Sequence, residues 1–165
     1  MDVMRVLRHL FLPPWRVRLA FGARALHDIE RAIRESERTH AGEIRFAVES
    51  ALHLFPLLRG QSARERALDV FSQLRVWDTE HNNGVLIYLL LADHDVEIVA
   101  DRGIHRRVGH ADWEHICRKM EAEFRDGRFE AGVLAGIDAV SDHLARHFPQ
   151  RRDGGNELSD RPIVL

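Results

Sequence analysis

The chain has 165 residues, and its 24 lysines and arginines nearly balance its 26 aspartates and glutamates, which leaves a formal charge of −2. This balance argues against a nucleic-acid-binding protein, because such proteins need an excess of cationic side chains to neutralise phosphates. A single cysteine, Cys117, excludes an internal disulfide bond and a zinc site built from several cysteines.

Residues 1–22 form an N-terminal arm that is both apolar and basic. Arg5 and Arg8 interrupt its apolar run, unlike the core of a signal peptide, and no segment of the chain is long enough to span a membrane. We therefore expect a cytoplasmic protein, with peripheral contact to the inner membrane as an open alternative. One interpretation is that the arm contacts a membrane surface or a membrane-associated protein. The other, which is the more common case, is that the arm packs on its own domain or stays mobile. In the first interpretation, the contacting side chains are Leu7, Leu10, Phe11 and Trp15.

The segments after the arm predict a helix, a strand and a second helix. Apolar residues at helical spacing predict the first helix over 23–37, and alternating apolar and polar residues predict a strand over 43–49. Ser62 and Glu65 have the spacing of a capping box, which predicts a helix from Ser62 to about residue 76. The intervening residues, 50–61, are expected to be irregular.

The most distinctive stretch is the segment 82–103. A turn at 82–84 precedes seven consecutive apolar residues, 85–91, and a polar turn separates these from a second strand over 96–100. An apolar run without charges is typical of a strand that is covered on both faces in an α/β sheet. The strand–helix–strand order predicts a right-handed crossover between two parallel strands, and the hairpin then adds an antiparallel third strand.

Two further helices, over 110–125 and 129–148, complete the predicted domain, with Gly127 as the break between them. The fold class is therefore α/β: a three-layer α/β/α sandwich with a small mixed central sheet, spanning 23–148. Residues 149–165 are polar and rich in glycine, so we expect a disordered tail. Its last four residues are either an idle end, the more common case, or a ligand for another domain.

Six short segments, taken in their order and spacing, resemble the TPM domain family over residues 24–148. They are AGEIRFAV (41–48), NNGVLI (82–87), VEI (96–98), GI (103–104), FRDGRF (124–129) and AGVLAGI (131–137). The resemblance implies an α/β/α sandwich and members that are exported or tethered to membranes, often beside membrane complexes. It also implies calcium binding and weak acid phosphatase activity in some members.

This chain departs from the family pattern at three positions. Members usually carry an acidic residue at or beside Asn83, and acidic residues where this chain has His105 and His110. Calcium prefers carboxylate and carbonyl oxygens, so imidazoles at two of these positions weaken an inherited calcium site.

The start of the second strand and the end of the third are expected to lie at the same edge of the sheet. Polar residues gather there in the sequence, and the candidates for holding a divalent cation (calcium or magnesium) or an anion are Asp78, Asn83, Asp101, His105 and His110. Arg102 is the candidate contact for phosphate oxygens. Glu80, His81 and Asn82 belong to the same predicted edge, and Glu49, Asp93, His94 and Asp95 to the opposite one.

Other motifs favour structural roles. The triplet 93–95 resembles a phosphatase nucleophile motif, but Glu97 stands where that motif has Thr or Val, so a hairpin turn is the better interpretation. Cys117 lies on an apolar helix face and is expected to be buried and unreactive. His143 and His147 share a helix face, but no third zinc ligand is evident nearby.

Two hypotheses of function follow. The first is a non-catalytic interaction or regulatory module, which engages a membrane protein or complex through the arm and one sheet edge. The second is a weak metal-assisted phosphatase acting on phosphomonoesters, in which Arg102 steadies the phosphoryl oxygens. We favour the module, because no complete catalytic constellation is evident in the sequence.

Overall fold

The computed structural model describes residues 3–150 and 155–165, and a mixed sheet of the order β3-β2-β1-β4 lies at its centre. The strands are β1 (Glu43–Glu49), β2 (Gly84–Leu90), β3 (Asp95–Ala100) and β4 (Ile163–Val164). Strand β1 pairs in parallel with β2 and β4, whereas β2 and β3 form an antiparallel hairpin. The predicted parallel pair and antiparallel third strand are both confirmed.

Helices cover both faces of this sheet. They are α1 (Val3–Phe11), α2 (Arg16–Ala20), α3 (Ala23–Ser36), α4 (Leu54–Leu58), α5 (Ala63–Gln73), α6 (Arg102–Val108), α7 (His110–Arg125) and α8 (Phe129–His147). Alternate side chains of β2 enter two separate cores. Val85, Ile87 and Leu89 pack with residues of α3, α7 and α8, and Leu86 and Tyr88 pack with residues of α4 and α5. This is the predicted three-layer α/β/α sandwich.

Local sequence signals begin and end these helices as expected. The Ser62 hydroxyl accepts a hydrogen bond from the backbone N–H of Glu65 at 3.1 Å. The Glu65 carboxylate in turn accepts one from the backbone N–H of Ser62 at 2.8 Å, which completes the capping box at the start of α5. Gly127 has a φ of 75°, a conformation that glycine adopts readily, and it separates α7 from α8.

The prediction of a disordered tail over 149–165 is wrong for residues 155–165, although 151–154 lie outside the described residues. The backbone N–H of Leu165 donates to the carbonyl of Val48 at 2.9 Å, and β4 extends the sheet beside β1. The buried Glu43 carboxylate accepts from the backbone N–H groups of Glu157 and Leu158, both at 3.0 Å. The polar composition predicted disorder, but pairing with β1 and hydrogen bonds to the Glu43 carboxylate hold this part of the tail in place.

Two short helices were missed in segments expected to be loops. Helix α4 occupies part of 50–61, and α6 follows β3 directly. Asp101 caps α6, because its carboxylate accepts a hydrogen bond from the backbone N–H of Arg102 at 2.7 Å. Both helices are shorter than eight residues, too short for hydrophobic periodicity to identify them.

Candidate functional site

The sheet edge expected to carry a ligand site is formed as predicted. The start of β2 meets the end of β3, where the backbone N–H of Asp101 donates to the carbonyl of Gly84 at 2.9 Å. The structure nevertheless divides the predicted polar set between two cavities. Glu80 and His81 line a cavity of about 750 Å³ beside the start of β1. His105 and His110 line another of about 400 Å³ along the outer edge of β3.

Asn83 and Asp101 lie buried at this edge, where each has a structural role. The Asn83 amide donates to the carbonyl of Ala41 at 2.8 Å, and its backbone N–H donates to the Thr79 hydroxyl at 3.1 Å. Within the described residues, the side-chain Oδ1 of Asn83 and the Oδ2 of Asp101 have no hydrogen-bond partner. Each side chain therefore fixes local backbone and keeps one unused acceptor oxygen.

The remaining predicted site residues point to different surroundings. Asp78 is exposed, the Arg102 Nε donates to Asn82 Oδ1 at 3.2 Å, and the exposed His110 pairs with Glu114 at 3.0 Å. Across the described ranges, no three His, Cys, Asp or Glu side chains are grouped so that they could hold a metal ion. The five residues predicted to hold a divalent cation are thus not assembled into one cluster.

Two of the other interpretations can be compared with the structure. The segment after β2 is a turn, as predicted, with His94 at a φ of 52°. Cys117 is half-buried, and burial raises the pKa of its thiol to about 12, which agrees with an unreactive residue.

The arm lies on its own domain and is fixed through Asp93 in the β2–β3 turn. The Arg5 guanidinium lies 2.8 Å from Asp93 Oδ2, and His9 Nε2 lies 3.1 Å from Asp93 Oδ1. His9 Nδ1 accepts the backbone N–H of Leu52 at 2.9 Å, so the proton of a neutral ring is on Nε2 and is donated to Asp93. Burial would raise the pKa of Asp93, but the hydrogen bonds from Arg5 and His9 outweigh it and hold that pKa below its usual value.

The second half of the arm is anchored by apolar contacts. Val17 and Phe21 are each 1% exposed, and the Phe21 ring meets the edges of Phe46 at 5.7 Å and Phe129 at 5.9 Å. The interpretation that the arm packs on its own domain is therefore correct. The interpretation that it also contacts a membrane or a partner depends on the face that this packing leaves outside.

Helix α1 is amphipathic in the reverse of the usual sense. Surface helices normally turn an apolar stripe toward the core and polar residues toward solvent. Here the inward side carries His9, which is 4% exposed, and Arg5, whose side chain is 21% exposed, beside the half-buried Val6 that packs against the core. The outward side is apolar, with exposed Val3, Met4, Leu7, Leu10 and Phe11. Ion pairing at Asp93 holds the polar side in and leaves the apolar side in solvent.

Further exposed apolar side chains lie on the helices next to α1 in the sequence and in the fold. Trp15 and Leu19 are exposed on and before α2, and α4, which packs beside α1, exposes three more apolar side chains. We call the whole set the arm surface; its members are Val3, Met4, Leu7, Leu10, Phe11, Trp15, Leu19, Leu54, Phe55 and Leu58. Residues 3–22 contain four arginines and no aspartate or glutamate, and the Arg59 guanidinium lies 4.1 Å from the centre of the Phe55 ring.

Sequence reasoning identified Leu7, Leu10, Phe11 and Trp15 but missed the anchor that orients them. Arg5 and Asp93 are 88 positions apart, and His9 and Asp93 are 84 apart, so no local pattern connects them. A signal was present, since Arg5 and His9 have the i,i+4 spacing that places two side chains on one helix face.

The large cavity beside β1 contains ionisable groups whose pKa values are strongly shifted. Burial raises the pKa of Glu37 to about 9, although its carboxylate accepts the backbone N–H of Ile44 at 2.9 Å. Burial also raises the pKa of Glu43, the residue that holds the tail. His40 shifts the other way, because burial lowers its pKa to about 4. These groups are neutral or hydrogen-bonded to backbone, so this end of the sheet has the character of a structural polar cluster.

Comparisons with known proteins place the chain in a family. The family model described as TPM domain matches residues 21–143, and comparison with curated proteins gave no match. The NMR structure of the BA42 protein from the psychrophilic bacterium Bizionia argentinensis is similar at 30% identity and a TM-score of 0.77, covering 88% of this chain and 95% of that one. The N-terminal domain of a protein from P. gingivalis shares the fold at 17% identity and a TM-score of 0.64, covering 86% of this chain and 95% of that chain.

The chain belongs to the TPM domain family, as its short motifs indicated. Among the described helices, none is both long and apolar enough to cross a bilayer.

We predict that Asp93→Asn loosens α1 from the domain. Hydrogen bonds to charged groups contribute about 1.5–3 kcal/mol each, so backbone amides of α1 are expected to exchange with solvent at least about tenfold faster. Hydrogen exchange resolved by mass spectrometry measures this, with β2 as the internal reference. Asp138→Asn, at an exposed position on α8, is the matched control and leaves α1 unchanged. Equal protection of α1 in Asp93→Asn and in the wild type would contradict the anchor.

We also predict that stability falls as the pH rises from about 6.5 to about 8.5. The folded protein keeps Glu37 protonated up to a pKa of about 9, whereas the unfolded chain releases this proton near the ordinary value. Stability from this group is therefore complete at acid pH and is lost as the pH approaches 9, by ~1–3 kcal/mol over the window. The pKa of His40 lies far below this window. Urea unfolding at several pH values tests the slope, which Glu37→Gln should flatten; an unchanged slope would refute the assignment.

Proposed function

We propose that this member of the TPM domain family is a non-catalytic interaction module that docks onto membranes or a membrane-associated partner through the arm surface. The observation that carries the proposal is the reversed amphipathicity of α1. A helix tied down by its polar side presents Leu7, Leu10 and Phe11 to solvent, with exposed fractions of 41%, 54% and 79%. Exposed apolar residues that occur singly are ordinary, but a set gathered on neighbouring helices marks an interaction site.

Energetics support docking rather than an incidental surface. Full burial of a Leu or Phe side chain stabilises by about 1.5–3 kcal/mol. If a partner buries half of the side chains of the arm surface, the free energy of binding gains several such contributions. Because α1 is already fixed to Asp93, little ordering of the helix is needed when a partner binds.

The second candidate function is a weak metal-assisted phosphatase, and one observation favours it. Asn83 Oδ1 and Asp101 Oδ2 are buried acceptors with no partner among the described residues, and oxygen acceptors suit calcium or magnesium. Calcium takes six to eight oxygen ligands, so these two would supply a minor part of its coordination. A cation held by either oxygen would polarise a phosphoester, and Arg102 is the candidate contact for the phosphoryl oxygens. We rank this function second because the donor set is small.

The docking proposal predicts that the protein sediments with membranes from its source cells, and that Leu10→Ser/Phe11→Ser lowers the bound fraction at least about tenfold. Both side chains point outward, so the double variant should fold normally, and its melting curve checks this. Leu68→Ser is the matched control, since Leu68 is a 45% exposed leucine on α5, outside the arm surface. Equal sedimentation of all three proteins, or none by the wild type, would refute the proposal.

We further expect no hydrolysis of p-nitrophenyl phosphate above the buffer rate, with or without added calcium or magnesium. Wild type and Asp101→Asn should be indistinguishable in this assay. Asp126→Asn, an exposed position at the end of α7, controls for a general loss of one carboxylate. Saturable, cation-dependent hydrolysis that is lost in Asp101→Asn and kept in Asp126→Asn would establish the phosphatase instead.

A further inference from the structure

Resting on the proposed function, we propose that the arm surface docks directly onto a lipid bilayer that carries anionic headgroups. In this arrangement α1 lies in the plane of the interface, its apolar side toward the acyl chains and the globular domain on the aqueous side. The inference identifies the partner as lipid, whereas the proposed function leaves lipid and protein open.

The shape of the surface favours lipid over a protein groove. A protein groove that binds an amphipathic helix encloses it and contacts a narrow stripe of apolar side chains along one helix face. Helix α1 cannot be surrounded, because its inner side is held by Asp93 and α4 packs along it. The apolar side chains come instead from α1, α2, α4 and the turn between the first two. Exposed apolar side chains that are spread over several helices suit a bilayer, which needs no matching cavity.

The distribution of charge is complementary to anionic lipid. Residues 3–22 carry four arginines and no acidic side chain, although the whole chain has a formal charge of −2. The arm is thus cationic on a domain whose remaining surface is net acidic, so an anionic membrane attracts the arm and repels the rest. Arg16 and Arg18 are exposed, and their long stems let the charged groups reach lipid headgroups; Arg8 is exposed too, although its guanidinium lies 3.9 Å from Asp93.

The dimensions and composition of the arm place it on the bilayer and not across it. Nine residues of α1 extend about 14 Å as a helix, about half of the ~30 Å hydrocarbon core. Trp15, which is 56% exposed, is the kind of residue that prefers the boundary between water and lipid. Helices that bind at this boundary carry Lys or Arg on the polar side and Trp, Phe and Leu on the apolar side. The arm has the same composition, with arginine as its cationic residue.

The test uses the full chain and two kinds of protein-free vesicle: phosphatidylcholine alone, and a mixture in which one lipid in three is phosphatidylglycerol. We expect sedimentation with the mixed vesicles at least about tenfold above that with phosphatidylcholine. Raising sodium chloride from about 0.1 M to about 0.5 M should weaken the binding, because salt screens the attraction. Hydrogen exchange of the bound protein should show new protection in residues 3–19 and none in α7.

Two pairs of variants separate the apolar from the electrostatic contribution. Leu10→Ser/Phe11→Ser should lower binding to the mixed vesicles at least about tenfold. Arg16→Gln/Arg18→Gln should lower it about fivefold for each arginine and leave the small binding to phosphatidylcholine unchanged. The matched controls, Leu68→Ser and Arg106→Gln/Arg118→Gln, alter exposed residues of α5, α6 and α7 and should bind as the wild type does.

The outcomes distinguish this inference from the function on which it rests. Sedimentation with native membranes, abolished by protease treatment of those membranes, together with no binding to mixed vesicles, would overturn the lipid and favour a protein partner. Equal binding to both kinds of vesicle would overturn the role of the arginines. Failure to bind either native membranes or vesicles would overturn the proposed function itself.

Discussion

Complete burial of β1 and β2 on both faces is the constraint on which the rest of the structure depends. Every residue of these two strands is buried, so each polar side chain that they carry either finds a partner within the protein or keeps an unpaired group, as the Nη1 of Arg45 does among the described residues. Glu49 shows the first solution, because its carboxylate accepts hydrogen bonds from Arg66 at 2.8 Å and from the Tyr88 hydroxyl at 2.7 Å. Asn83, Asp93 and Asp101 lie outside the two strands, in the segments that border β2 and β3. The polar groups of the candidate sites therefore lie near the ends of the strands, whereas Arg45 lies buried within β1.

The two edges differ in what their polar groups do. At the start of β1 and β2, the Glu43 carboxylate binds the backbone of the tail and Glu37 binds the backbone of β1, and burial keeps the pKa of both groups high. These interactions hold the chain together and leave few free donors for a ligand. At the other edge, Asp93 pairs with Arg5 and His9 of the arm and lies 3.9 Å from Arg8, which helps to decide how α1 is turned. The Asp93 carboxylate, together with the bonds of Arg5 to the Gln61 carbonyl and of His9 to the Leu52 N–H, thus keeps the polar side of α1 inward and its apolar face in solvent.

The sequence allowed the layers to be predicted but not the contacts that orient their edges. The charge-free run 85–91, the capping box at Ser62 and the break at Gly127 are local signals, and each formed the expected element. The strand β4 has two residues and joins β1 from the far end of the chain, so it has no periodicity to detect. Asn83 and Asp101 lie at the predicted edge, but burial of Asn83 and exposure of His105 separate the predicted ligand residues. Edge location follows from strand order, whereas convergence of side chains depends on burial and on the helices between them.

The anchored arm also explains why an exposed apolar surface is compatible with a stable domain. A mobile amphipathic arm would collapse onto the nearest apolar surface, and its docking face would then be hidden. Pairing of Arg5 and His9 with Asp93 removes this alternative, since turning α1 over would bury two cationic or hydrogen-bonding groups without a partner, at several kcal/mol. The contacts with Asp93 therefore attach α1 to the domain and also prevent its apolar face from being buried against that domain. Because the helix is already formed and oriented, the free energy of burying Leu10, Phe11 and their neighbours is available to the partner almost in full.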